Sequence, residues 1–356
     1  MSRFFSEKYS SLVPYTPGEQ PKKNLQYIKL NTNESPFSPS EAVIQAVKKE
    51  AKNLQLYSDP DSSELVNKLA DVYGVSPGQV TVNNGSDETL NFAFMAFADE
   101  KHPLVFPEIT YGFYPVFAEL NHIPYSTIPL TGSLEINPDD YIGTGKSIVI
   151  ANPNAPTGLS LPIDAIEKIT ASNPNNIVII DEAYVDFGGE SAVCLIDKYE
   201  NLLVVQTFSK SRSLAGARLG FGIASKKLIE DLNTIKYSTN PYNVNRMTSA
   251  AGIAALIDDA YYKNNCSKIA KVREFTITEL RKLGFRVTDS RANFVFAESD
   301  DISGKHLYTE LKKRGILIRH FDTEKICNYN RITIGSLEQM KILISEINEI
   351  LKEINN

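Results

Sequence analysis

Four short segments hold side chains whose types and order suit one piece of chemistry. They are NGSDE (84–88), NPNAPTG (152–158), DEAY (181–184) and TFSKSRSLAGARLG (207–220). Lys210 follows the apolar stretch 202–206. An amine leaving a buried strand is partly desolvated, which lowers its pKa and frees it to form an imine with an aldehyde. Asp181 stands at the end of the apolar run 177–180. A carboxylate there can hold a protonated ring nitrogen and so make the ring an electron sink. Tyr184 could then donate to a phenolic oxygen on that ring. In NGSDE, Gly85 permits close backbone approach, and Ser86 and Asp87 open a helix whose N-terminus attracts anions. Asp87 could also cap that helix. Thr207, Ser209 and Arg218 would complete an anion cradle with two hydroxyls and a guanidinium fork.

Each segment alone has a plainer reading. Lys210 could be a surface loop lysine, Asp181 a helix cap and NGSDE an ordinary helix start. One decoy is set aside: GTGKS (143–147) lacks the earlier glycine of a phosphate-binding loop, since position 140 is Asp140, and it precedes a strand.

The elements that would position these residues follow from the pattern of apolar residues. Short apolar strands at 79–82, 103–106, 147–152, 177–181 and 202–208 alternate with helices at about 86–98, 112–120 and 162–171. Strands of this kind are usually buried on both faces of a parallel sheet, and the alternation predicts an α/β domain. Ligands bind at the carboxyl edge of such a sheet, where all four segments fall. Before it, helices are expected at 38–54, with Ser40 as N-cap, and at 62–74, closed by Gly74. After it come long helices at 246–257 and 259–283, strands at 285–287, 293–296, 316–319 and 331–335, and helices at 303–314 and 337–354. We therefore expect a proline-bearing arm over 1–37, a large domain over 38–240 with a mostly parallel central sheet, and a smaller α+β domain over 241–356.

The totals set limits. The chain has 356 residues, which suits two domains. Its net charge of -6 and lack of a basic stripe argue against nucleic acid as a partner. Three scattered cysteines form no disulfide framework, which points to the cytoplasm. Four scattered histidines show no metal-binding spacing. The N-terminus has no apolar signal segment, and no run is long enough to span a membrane.

Together and in this order, the motifs resemble those of the fold-type-I pyridoxal-phosphate enzymes, the aspartate aminotransferase superfamily. Within it the chain is similar to the histidinol-phosphate aminotransferases. VPYTPGEQ (13–20), LNTNESP (30–36), LYSDP (56–60), PEITYGFYPVFAEL (107–120), PYNVN (241–245) and RITIG (331–335) extend the likeness over nearly the whole chain. The resemblance implies pyridoxal 5'-phosphate as cofactor, with Lys210 as the Schiff-base lysine and Asp181 on the ring nitrogen. Tyr184 would touch the phenolic oxygen and Tyr111 would stack on the ring. Ser86, Asp87, Ser209 and Arg218, with Thr207 nearby, would hold the phosphate. A tyrosine matching Tyr57 reaches the phosphate of a neighbouring subunit, which implies a homodimer. Arg331, Arg319, Tyr15, Asn33 and Asn293 match substrate positions. The chain departs from the family at Ala155, where an asparagine usually precedes PTG, and Asn154 is expected to take over its contact. The implied reaction is transamination between L-histidinol phosphate with 2-oxoglutarate and imidazole-acetol phosphate with L-glutamate. Alternatives are an aromatic aminotransferase or a threonine-phosphate decarboxylase on the same fold. A regulator built on an inactive version of the fold is a further reading, disfavoured because Lys210 and Asp181 are both present.

Overall fold

The protein is described by a computed structural model that covers residues 2–20 and 27–355. Met1, Pro21 and 22–26 of the expected arm, and Asn356, lie outside the described residues. Along the chain, β1 (Ile28–Lys29) is followed by α1 (Glu41–Glu50), α2 (Ser63–Tyr73), β2 (Val80–Asn83), α3 (Ser86–Phe97) and β3 (Leu104–Pro107). Next come α4 (Phe113–Leu120), β4 (Tyr125–Ile128), β5 (Ser147–Ala151), α5 (Ile163–Ser172), β6 (Val178–Asp181), β7 (Leu202–Thr207) and β8 (Gly220–Ala224). The chain continues with α6 (Lys226–Thr239), α7 (Arg246–Ile257), α8 (Asp259–Lys282), β9 (Arg286–Val287) and β10 (Phe294–Glu298). It ends with α9 (Gly304–Lys313), β11 (Ile316–Leu317), β12 (Arg319–His320), β13 (Asn330–Thr333) and α10 (Leu337–Asn355).

Among the described residues, seven strands form the central sheet in the order β2-β8-β7-β6-β5-β3-β4. All run parallel except β8, which pairs antiparallel with both neighbours. Strands β5, β6 and β7 are buried along their whole length, as their unbroken Val, Ile and Leu content requires when helices cover both faces. Their register sets Ala151, Asp181 and Val205 side by side. The carboxyl ends of the strands therefore reach one edge together. β8 enters at that same edge because it runs the other way, which brings Arg218 to the carboxyl ends of the rest.

A four-stranded antiparallel sheet, β12-β13-β10-β9, makes the second layer with α8, α9 and α10. Its core includes Ile269, Ile277, Phe294, Ile332, Leu343 and Ile347. The expected break between 240 and 241 does not coincide with a change of core. Ala251, Ala255 and Leu256 of α7 share one apolar cluster with Val204 and Ile223 of the large sheet. The core changes along α8, where Tyr262 belongs to the large cluster and Ile269 to the small one. Leu30, in the expected arm, is buried in the small core, and β1 pairs with β11.

Four of these elements escape the sequence reading: β1 is only two residues long, within the expected arm. β4 is an edge strand, half exposed; β8 carries two glycines, which weaken its strand signal; α6 is rich in charge and ends in Ser and Thr. The expected strand 316–319 splits: Ile316–Leu317 joins β1, while Arg319–His320 joins β13. Gly74 closes α2 with a left-handed φ of 67°, as predicted. Ser40 stands at the start of α1, but its hydroxyl is buried without a partner instead of capping the helix. No helix among the described residues is long and apolar enough to cross a membrane.

Candidate active site

At the carboxyl edge of the large sheet two chambers open into each other. The inner one, ≈ 190 Å³, is lined by Ser86, Asp87, Asp181, Thr207, Ser209 and Arg218 among others. The outer one, ≈ 360 Å³, is bounded by Tyr15, Asn33, Arg319 and Arg331. Thr32, Tyr111, Ala155, Tyr184 and Lys210 line both. Lys210 thus stands at the junction. Its amine donates to the Thr32 carbonyl at 3.1 Å. Burial first, and then the charge of Arg331, push it down to about 8, so a sizeable neutral fraction exists near neutral pH.

The inner chamber ends on a helix. Gly85, with φ 87°, turns the chain into α3. Asp87 does not cap that helix, contrary to expectation: it lies one residue inside it, and its carboxylate is committed to side chains. It accepts from the Tyr111 hydroxyl at 2.8 Å and from Arg218 at 2.9 Å. Gly220 lies directly beneath. A β-carbon on Gly220 would come within 2.2 Å of the Ser86 nitrogen. Gly220→Ala should therefore cost at least about 2 kcal/mol by forced displacement of the helix start. A thermal melt checks this; an unchanged melting temperature would show that the backbone there yields freely.

Asp181 closes the chamber's far wall. It is 4% exposed, and burial pushes it up to about 6, against the hydrogen bond from the Tyr114 hydroxyl. Tyr184, on the turn after β6, accepts a hydrogen bond from Asn33 Nδ2 at 2.9 Å. Asn33 itself sits at φ 55° and exchanges hydrogen bonds with Thr333, which ties the entrance strap to the small sheet. In the outer chamber Arg319 and Arg331 face each other across β12 and β13. Among the described residues neither is paired with a carboxylate; Arg331 donates from Nη2 to the Asn31 carbonyl at 3.2 Å, and its Nε is buried without a partner.

Three expected site residues fall elsewhere. Asn154 lines neither chamber: its amide donates to the Ile109 carbonyl and to Thr157, and its oxygen accepts from Thr110. Its hydrogen bonds are spent on holding the turn, so it does not take over the contact expected at Ala155. Ala155 faces the cavity with no polar group to offer. Asn293 is fully buried and donates to the Asn33 carbonyl, so it supports the entrance strap from behind. Tyr57 lies on the outer surface, 80% exposed and stacked on Tyr242 at 4.6 Å. The sequence reading passed over Tyr114, Thr32 and Glu34. Only Tyr114 left a signal, a second tyrosine three residues after Tyr111, which is one helical turn.

These walls fit pyridoxal phosphate. The amine, the buried carboxylate and the helix N-terminus beside Arg218 lie around one chamber, as an aldehyde, a ring nitrogen and a phosphate require. Enzymes that hold this cofactor on a mostly parallel α/β sheet with a smaller C-terminal domain make up fold type I, and this chain has that fold. The model of the family described as aminotransferase class I and II matches residues 26–347. The chain is 48% identical over 354 residues to the histidinol-phosphate aminotransferase of Brachyspira hyodysenteriae, covering 99% of this chain and 100% of that one. It is 46% identical over 352 residues to that of Clostridium beijerinckii, covering 99% and 98%. The structure of the Sinorhizobium meliloti histidinol-phosphate aminotransferase in complex with pyridoxal-5'-phosphate superposes with a TM-score of 0.90 at 23% identity, covering 99% of each chain. The chain belongs to the class I and II aminotransferase family.

Proposed function

We propose that this protein carries out transamination between L-histidinol phosphate with 2-oxoglutarate and imidazole-acetol phosphate with L-glutamate, in histidine biosynthesis. The observation that carries the substrate reading is the opposed Arg319 and Arg331 at the wall of the outer chamber, neither paired with a carboxylate among the described residues. Histidinol phosphate has no carboxylate, and its phosphate is the anion that two guanidiniums can clamp. The γ-carboxylate of glutamate can use the same pair. Relatives at 44–48% identity over the full chain support the same substrate.

Pyridoxal phosphate, when bound, supplies an aldehyde for the substrate amine and an electron-poor ring that makes the substrate α-hydrogen acidic. Lys210 would provide the amine that holds the cofactor and, when free, the base for the substrate α-proton. Asp181 would hold the ring nitrogen protonated. Tyr184, oriented by Asn33, would donate to the phenolic oxygen. The helix start at Ser86 and Asp87, with Thr207, Ser209 and Arg218, would hold the phosphate, and Tyr111 would cover the ring. Tyr15 and Asn33 shape the entrance.

A turnover assay with L-histidinol phosphate, phenylalanine and threonine phosphate, each with and without 2-oxoglutarate, tests this reading. Ping-pong turnover of histidinol phosphate that requires the acceptor is expected. Acceptor-independent release of carbon dioxide, or preference for phenylalanine, would refute the substrate.

The working form is proposed to be a cytoplasmic homodimer in which Tyr57 reaches the phosphate of the neighbouring subunit. Tyr57 lies beside Leu54 and Leu56, each 56% exposed, an apolar surface that suits burial between subunits. Tyr57→Ala should weaken cofactor binding by roughly tenfold through loss of one hydrogen bond to a charged group. Mixed dimers of Tyr57→Ala and Lys210→Ala subunits should recover activity beyond the sum of the parents, because one of the two sites is then intact. A monomer by light scattering, or no recovery in mixed dimers, would end this part of the proposal.

A further inference from the structure

Among the described residues, the carboxylate at the back of the inner chamber has one side-chain donor. Tyr114, on α4, gives its hydroxyl to Asp181 Oδ2 at 2.9 Å, and both groups are buried. The other oxygen, Oδ1, receives only the Ala183 N–H at a long 3.3 Å. The neighbouring carboxylate, Glu182, is bonded into a separate network of Ser191, the Ala192 N–H and Gln206. Tyr114 is wedged edge-on between Phe106 and Tyr111, with ring centroids 5.7 Å from each. Its hydroxyl cannot swing away without unpacking that cluster, so the hydrogen bond fixes the plane of the carboxylate.

We propose that Tyr114 is a positioning residue for transamination: its hydroxyl holds Asp181 ionised and aimed into the inner chamber. This rests on the cofactor reading above.

The physical need is clear from the surroundings. The groups that face Asp181 around the chamber are Asp87 from α3, Tyr111, Tyr114, Tyr184, Lys210, Arg218 and Glu34. Among the described residues no arginine or lysine is bonded to the carboxylate. Burial disfavours its charge most, Asp87 adds to that, and the Tyr114 hydroxyl opposes both. A neutral carboxylic acid cannot hold a protonated ring nitrogen by charge. With its folded value already near 6, Asp181 has little reserve before it becomes neutral at working pH. Removing the hydroxyl moves its titration upward, so the carboxylate form is lost over a window that now includes neutral pH.

Tyr114→Phe keeps the ring and removes only the donor. Infrared difference spectra of the apoprotein against Asp181→Asn isolate the Asp181 carboxyl from that of Glu182, which burial also raises, to about 7. The wild-type carboxyl should gain its proton as pH falls through about 6. In Tyr114→Phe the protonated band should already be present at pH 7. In the holoenzyme, kcat at neutral pH should fall roughly tenfold, as for one lost hydrogen bond to a charged group. The acidic limb of its pH profile should move upward, with rate regained at alkaline pH. In an Asp181→Asn background the second substitution should change kcat less than twofold, whereas damage to packing would add in full. An unmoved band together with an unmoved pH profile, or full additivity in the double variant, overturns the proposal. Failure of the wild type to bind pyridoxal phosphate would sink the cofactor reading instead, and would leave the apoprotein titration unaffected.

Discussion

Lys210→Ala is expected to lower transamination by roughly 10⁴-fold, because one group supplies both the covalent attachment and the proton shuttle. The geometry makes this the largest single effect in the molecule. Among the described residues lining the two chambers Lys210 alone carries an amine, and Glu34, Asp87 and Arg218 near it have none to offer. Substitution should also leave the fold intact, since among the described residues the amine's hydrogen bond is to the Thr32 carbonyl at the cavity wall. Borohydride reduction followed by peptide mapping checks attachment directly. The wild type should yield a single cofactor-bearing peptide containing Lys210, and the variant none. Label on another lysine, or more than a tenth of the wild-type rate in the variant, would remove the basis of the functional reading. A pH effect accompanies it. Burial and then Arg331 push the amine down to about 8, so the free amine is available as a base about two and a half pH units below an exposed lysine.

Much of this site could be read from the chain because the sheet does the positioning. In a parallel α/β sheet every strand ends at the same edge, so an Asp after IVII and a Lys after LLVVQ are forced to neighbour one another without knowledge of any distance. The same logic placed Ser86, whereas Arg218 reaches the edge through β8, an antiparallel strand the sequence reading missed. It fails where side-chain direction inside a turn decides the outcome. Asn154 and Ala155 are adjacent, and only the three-dimensional turn tells which one faces the cavity; Ala155 does, and Asn154 braces the turn. It fails again for supports that act from behind. Tyr114 and Asn293 touch the residues that line the chambers, and their partners lie 67 and 260 positions away in sequence. The split of 316–319 into two strands had no local cause to read: Ile316–Leu317 is drawn off by β1, a partner from near the N-terminus.

The second large effect lies at the two arginines, and it separates a binding pair from a structural one. Arg319 stands directly opposite Arg331 in an antiparallel pair, and like charges so placed cost stability, by up to about 1 kcal/mol. A structural arrangement would relieve this with a carboxylate, and none is bonded to either side chain among the described residues, where Arg331 donates to the Asn31 carbonyl. Their rings of contact are aromatic instead: Arg331 lies over Phe294 at 5.4 Å and Arg319 over Phe321 at 5.7 Å. That packing, with the hydrogen bond from Arg331 Nη2 to the Asn31 carbonyl at 3.2 Å, holds the guanidiniums in place while committing no carboxylate to them among the described residues. Arg331→Ala should therefore lower kcat/KM for L-histidinol phosphate by roughly 100-fold, as for loss of a charge-assisted, two-pronged contact. Arg319→Ala should cost roughly tenfold. Neither should lower the melting temperature of the apoprotein, since each removes a repulsion along with its packing. For the unphosphorylated donor histidinol the same substitutions should change kcat/KM little. Equal losses for the phosphorylated and unphosphorylated donors would show that the pair supports the fold of the outer chamber and does not read the substrate's charge.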